Sequence, residues 1–251
     1  MFIDISKWNS TFDWSKAQAQ GVEGAYLKAS GCGVGGNYVD YKFKENSVSC
    51  PLKYKGTYHY FDYRGTSGAD QCKFFLDTTG DFGNLRGVLD IEDNSANGWP
   101  KLSANYGVAM REALAFVYQY KLETGHLPTM YLNVGLAKQK QLTISGYQYI
   151  FRNFLDCPLW VARYNDMKDP LIYSATERAA WSDYALWQYT SQGDGRLFGN
   201  AVGNDWIDLN RVKNLQALLK PGAVVVEPPI VIIPLTVEQR LDRIEKHLGI
   251  A

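Results

Sequence analysis

The feature that most limits the possible folds is an alternation. Short β-branched or aromatic runs give way, at intervals of about thirty residues, to helix-forming stretches. Strands read at Met1–Ser6, Gly24–Ala29, Lys55–Phe61 and Gly87–Glu92, then at Pro128–Asn133, Pro158–Tyr164, Tyr184–Thr190 and Asp205–Asn210. Helices read at Asp13–Gly21, Tyr41–Ser49, Gly68–Thr78, Ala104–Thr124 and Tyr147–Phe154, with a glycine-rich loop over Ser30–Gly36. Strands joined by helices pair in parallel, because each crossover returns the chain in the same direction. Eight such strands close a barrel, whose catalytic groups gather at the strands' C-terminal ends. The chain has 251 residues, which suits one α/β barrel.

In the fourth strand, Gly87-Val88-Leu89-Asp90-Ile91-Glu92-Asp93, acids interrupt an apolar run. Side chains alternate across a strand, so Asp90 and Glu92 share a face, their Cα atoms roughly 6.6 Å apart. Such a pair is costly unless it is solvated, partnered or functional. Each carboxylate raises the other's proton affinity, so one can hold a proton near neutral pH while the other stays ionised. General acid catalysis at a glycosidic bond uses that division. An isolated Asp-x-Glu is more often an ion-paired strand end, so the rest of the chain has to decide.

Polar side chains recur at matching positions on the other strands. Asp4, Lys28, Tyr58, Asp90, Glu92, Tyr131, Trp160, Gln188 and Asp208 predict a single polar pocket at one mouth of the barrel. Tyr58, Tyr131 and Trp160 read either as platforms for sugar rings or as inward core aromatics, and Gln188 joins them as a sugar-binding candidate. Lys28 reads either as a contact to sugar or carboxylate, or as a structural partner of Asp4. His59 shares a strand with Tyr58 but faces the other way, which predicts packing behind the barrel.

Lys plus Arg equals Asp plus Glu at 26 each, so the charge balance gives no support to nucleic acid as a partner. The aromatic share of 14% suits stacking on sugars as well as packing. The sequence holds no phosphate-binding loop, dinucleotide fingerprint or nucleophile elbow, and no cofactor is expected. Cys32, Cys50, Cys72 and Cys157 form no Cys-x-x-Cys pair and read as buried reduced thiols. With His126 and His247 they make no metal-ligand spacing, so no metal is expected. Met1-Phe2-Ile3-Asp4 has neither the basic nor the apolar region of a secretory signal, and no apolar run reaches transmembrane length.

The character changes near Lys220, which divides the chain into a catalytic barrel over 1–219 and a tail over 220–251. Ala223 to Pro234 is apolar, β-branched and broken by prolines, as an extended linker or edge strand would be. Thr236 then offers an N-cap to a helix from Val237 to Leu248, stopped by Gly249. Val237, Leu241, Ile244 and Leu248 form a short seam, which reads as self-association through residues 221–251 or as docking on the same barrel.

Several pieces occur together and in order: Asp4-Ile5-Ser6-Lys7-Trp8, Phe12-Asp13-Trp14, Tyr26-Leu27-Lys28-Ala29, Tyr38-Val39-Asp40, Tyr58-His59-Tyr60, Leu89-Asp90-Ile91-Glu92, Leu159-Trp160-Val161-Ala162, Leu186-Trp187-Gln188-Tyr189 and Ile207-Asp208-Leu209-Asn210. In this combination the chain resembles the lysozyme-type muramidases of glycoside hydrolase family 25, common among phage endolysins. It departs at Ser30-Gly31, where the family usually has Glu-Gly. The resemblance implies an irregular (β/α) TIM-like barrel. It also implies cleavage of the β-1,4 bond between N-acetylmuramic acid and N-acetylglucosamine of peptidoglycan, with retention. Glu92 would be the general acid/base, with Asp4, Asp90 and Asp208 as the other carboxylates. Three Asp around Glu92, shielded by Tyr and Trp, are expected to raise its pKa. Either an Asp attacks the sugar directly, or the substrate's N-acetyl oxygen attacks while an Asp orients it. The implied setting is synthesis in a bacterial cytoplasm, holin-dependent release and action on the cell wall. The rival reading is a non-catalytic glycan-binding barrel, which loss of the acid would favour, but all four acids are present. A chitinase-type barrel would need an acid where Val88 stands.

Overall fold

The computed structural model describes residues 1–9, 12–92, 106–133, 135–138, 148–165, 168–172, 174–200 and 206–224. Its strands are β1 (Phe2–Ile5), β2 (Gly24–Gly33), β3 (Gly36–Val39), β4 (Tyr54–Tyr60), β5 (Val88–Ile91), β6 (Thr129–Asn133), β7 (Leu159–Ala162), β8 (Leu186–Asp194) and β9 (Trp206–Val212). Between them lie α1 (Trp14–Ala19), α2 (Phe43–Ser49), α3 (Gly68–Thr79), α4 (Tyr106–Thr124) and α5 (Gln148–Arg152), and α6 (Leu215–Leu218) follows β9. The strand order is β1-β9-β8-β7-β6-β5-β4-β2-β3, and β1 also pairs with β2. That extra pairing closes a barrel from every strand except β3, as the alternation predicts.

Two expectations are corrected. The sheet is not parallel throughout, because β9 runs antiparallel to both β8 and β1. Asp208 therefore sits near the start of its strand rather than at its end, and reaches the same mouth only because the strand is reversed. The glycine-rich loop is instead a hairpin, β3 folding back on the far end of β2 with Gly33 opposite Gly36. Gly36 takes φ +100°, open to glycine and strained for other residues.

The period of two explains where each side chain goes. Ile3, Ile5, Leu27, Leu89, Ile91, Met130, Leu132, Leu159 and Val161 belong to the large cluster that also holds the helices' apolar faces. Their neighbours Phe2, Tyr26, Val88, Trp160 and Leu186 form a second cluster, filling the barrel's interior. Tyr26 stacks on Trp160 with ring centroids 4.9 Å apart. Its ring crosses Gly56, where an added Cβ would lie 2.3 Å from Tyr26 Cε1. A larger residue there would push the floor apart. Three inward rows thus run from apolar at the floor to polar at the mouth: Phe2 then Asp4, Val88 then Asp90, Leu186 then Gln188. On reversed β9 the polar residues come first, Asp208 and Asn210 before Val212.

All four cysteines are buried and free, as expected. His59 lies behind the sheet, fully buried. Its Nδ1 is 2.9 Å from Ser30 Oγ, its Nε2 is 3.1 Å from Gln71 Oε1, and its ring lies against Phe75 and Phe116. The expectations for the tail, including the seam and self-association through 221–251, fall beyond residue 224 and so outside the described residues.

Candidate active site

A cavity of about 900 Å³ opens at the C-terminal ends of the parallel strands. Asp4, Tyr58, Asp90, Glu92, Tyr131, Trp160, Gln188 and Asp208 all line it. Lys28 is the one predicted site residue outside that lining. It shares the inward face of β2 with Tyr26, its Nζ 4.4 Å from the centre of the Tyr60 ring and 5.8 Å from that of Tyr58, where it feels the charges of Asp90 and Glu92. Nor is it the structural partner of Asp4, whose side chain bonds to the Asn210 and Gln188 amides and to Asp208 instead.

Asn210 Nδ2 donates to Asp4 Oδ2 at 2.7 Å, and Gln188 Nε2 donates to the same oxygen at 3.2 Å. Each amide is held in turn. Trp160 Nε1 donates to Asn210 Oδ1 at 2.7 Å, while Tyr131 and Tyr164 donate to Gln188 Oε1 at 2.9 and 2.7 Å. A carboxylate fed by amides whose own oxygens are satisfied cannot swing or change partners cheaply. Tyr131 and Trp160 meet edge to face at 4.9 Å, so the aromatic candidates are at once hydrogen-bond donors and part of the floor.

The carboxyls are far from their ordinary ionisation. Asp4 and Asp208 are cross-strand partners on β1 and β9, and their side chains hydrogen-bond. Burial pushes Asp4 up to about 6, with the bonds from Asn210 and Gln188 pulling the other way. Burial, then the charge of Asp4, pushes Asp208 up to about 9. Near pH 7 the pair therefore shares one proton. Burial, then Glu92, raises Asp90 well above the usual carboxylate range, and Lys28 partly offsets this. Asp90 Oδ1 is buried with no hydrogen-bond partner among the described residues. Tyr58 and Tyr131 are driven well up by burial and the surrounding acids, so they stay neutral donors.

The site is a packed acid cluster at a barrel mouth, in a chain whose residues 3–196 match the family described as glycosyl hydrolases family 25. The chain belongs to that family. Lysozyme M1 of Streptomyces globisporus is 25% identical over 201 residues, covering 76% of this chain and 62% of the lysozyme. The chain thus spans less than two thirds of that relative's length. The bacterial lysozyme of Streptomyces coelicolor shares the fold with a TM-score of 0.60 at 23% identity, over 86% of this chain and 93% of that one. The Clostridium perfringens spore cortex lytic enzyme SleM gives 0.64 at 21% identity, over 86% and 68%. The family 25 match ends before β9, so Asp208 and Asn210 join the site by geometry.

Sequence reasoning missed several members of this family 25 site. Asn210 was within reach, since it stands two residues from Asp208 and so on the same face. Tyr164, Asn133, Arg163 and Asn165 lie on or just past strand ends along one wall, with no pattern to mark them. Lys138 and Glu177 meet in a 2.8 Å ion pair on that wall from loops far apart in sequence.

Proposed function

We propose that this chain hydrolyses peptidoglycan at the β-1,4 bond between N-acetylmuramic acid and N-acetylglucosamine, with net retention at the anomeric carbon. One observation carries the reading: Asp4, Asp90, Glu92 and Asp208 converge on a single cavity large enough for a sugar, in a family 25 chain. Glu92 follows the last residue of β5 and is half-buried at the lip. It protonates the leaving oxygen, and as a carboxylate it then takes a proton from the incoming water.

Asp90 lies deeper on the same strand, and its unpartnered Oδ1 suits the N–H of the substrate's acetamido group. Holding that N–H turns the acetamido carbonyl oxygen onto the anomeric carbon. The new C–O bond forms as the glycosidic bond breaks, and water then opens the ring from the face the leaving group left. The Asp4–Asp208 pair supplies negative charge beneath the positive charge that builds at that carbon. Trp160 and Tyr131 support the sugar ring from the floor.

The product decides. Purified peptidoglycan is digested with the pure chain and reduced with borohydride, and the new alcohol is expected on muramic acid. An alcohol on glucosamine would overturn the bond assignment, free amino groups would mean an amidase or peptidase, and binding without cleavage would mean a glycan-binding barrel.

A further inference from the structure

Trp8 and Tyr41 are 69% and 71% exposed, an unusual outlay of aromatic surface that the catalytic reading leaves unexplained. They are held together on purpose-built turns. Buried Asp40 accepts the Lys7 backbone N–H on Oδ2 at 3.1 Å and the Lys42 backbone N–H on Oδ1 at 3.0 Å. This one carboxylate ties the turn after β1 to the turn after β3. Tyr41 O–H closes the clasp by donating to the Lys7 carbonyl at 3.3 Å. Loose surface aromatics need no such fixing.

Trp8 is also continuous with the cavity. Tyr58 lines it, and Lys28 Nζ lies 5.8 Å from the Tyr58 ring and 5.9 Å from that of Tyr38. Lys7 Nζ follows, 5.8 Å from Tyr38 and 5.1 Å from Trp8. Rings and ammonium groups alternate from the cavity wall to the exposed Trp8, each cation bracing the ring beside it. Trp8 stands three residues past β1, the strand that ends at the catalytic mouth.

We propose that Trp8 and Tyr41 form an outer subsite that stacks a sugar of the same glycan strand, beyond those bound in the cavity. The inference rests on the proposed glycan-hydrolase reading. A flat aromatic face takes the apolar C–H face of a pyranose without reading its substituents, which suits a polymer of alternating sugars. Tying the two turns in advance removes the ordering cost that a mobile platform would impose on binding.

The test compares long glycan strands with a tetrasaccharide of the same repeat, using the full chain and its Trp8→Ala, Trp8→Phe and Tyr41→Ala variants. The wild type is expected to prefer long strands in kcat/KM. Trp8→Ala should cut that preference about tenfold, through KM rather than kcat, and Trp8→Phe should restore most of it. Equal losses on both substrates, or an unchanged preference, would overturn the subsite. So would light scattering in which Trp8→Ala changes the oligomeric state, since the patch would then serve contact between chains. A wild type inactive on both substrates would overturn the reading of the cavity itself.

Discussion

Two groups of buried polar side chains sit on opposite faces of the same sheet, and they are built on opposite terms. Behind β4, His59 and Gln71 are wholly buried and their hydrogen bonds are complete. Gln71 Nε2 donates to the Asp62 and Thr66 carbonyls at 3.0 and 2.8 Å, and its Oε1 faces His59. Burial pushes His59 down to about 3, so it is a neutral strut at any working pH. Inside the barrel, Asp4 and Asp208 share a proton and Asp90 keeps an oxygen without a partner among the described residues. A buried polar group costs little when satisfied and much when not. The rear cluster is what folding alone produces, and the front cluster is left unfinished for something else to complete.

The contrast can be broken most sharply at Glu92. Glu92→Gln keeps the shape and removes the transferable proton, so turnover on purified peptidoglycan should fall on the order of a hundredfold or more with the melting temperature unchanged. Near wild-type turnover would remove Glu92 from the chemistry. The rear cluster should respond the other way. His59→Phe keeps a ring but leaves Ser30 Oγ without the His59 partner and Gln71 Oε1 with only the 3.4 Å bond from Asp62 N, costing about 1–3 kcal/mol in urea unfolding while kcat of the folded fraction stays put. A loss of kcat at unchanged stability would mean the two faces are coupled.

A smaller effect separates the clusters by pH. Asp208 is raised in the folded state, so its contribution to stability is full below the unfolded carboxylate range and is lost as pH climbs towards about 9. Asp4 does the same towards about 6. The wild type should therefore melt at progressively lower temperature from pH 4 to about pH 9. Asp208→Asn, which imitates the protonated acid, should flatten that slope and raise the melting temperature at pH 8 by about 3 °C or more. An unchanged slope would mean that Asp208 ionises normally. The smallest effect belongs to charge in water. The Asp183–Lys213 pair is about half exposed on both sides, so Lys213→Ala should move stability by about 1 kcal/mol at most and leave turnover alone.

The barrel was legible because its pattern is local. Val88 and Asp90 face in and Leu89 and Ile91 face out by alternation, and the same rule placed His59 behind the sheet. The direction of β9 was not legible. A strand's hydrophobic pattern reads the same in either direction, and only its pairing with β1 and β8 fixes the sense. Most of the acid cluster was visible for the same local reason, each acid interrupting an apolar run. What stayed hidden was relational. Nothing near Gln188 announces that it feeds Asp4, and nothing near Lys28 announces that it braces tyrosines rather than pairing with that acid. The wall built by Lys138 and Glu177 comes from two loops that only the closed barrel brings together.

The reversal of β9 also decides where the polypeptide leaves the barrel. After Val212 the chain is already at the floor end, and it is fastened there. Leu218 O accepts from Arg86 N at 2.7 Å, Lys220 N donates to Asn84 O at 2.9 Å, and Lys220 Nζ reaches the Phe82 and Gly83 carbonyls. These contacts lie just before β5 begins, on the side away from the acids. The described part of the chain therefore leaves the barrel on the face away from the acids. A support coupled at position 222, which is exposed on that face, should leave the open cavity turned to the solution and able to meet an insoluble polymer face on.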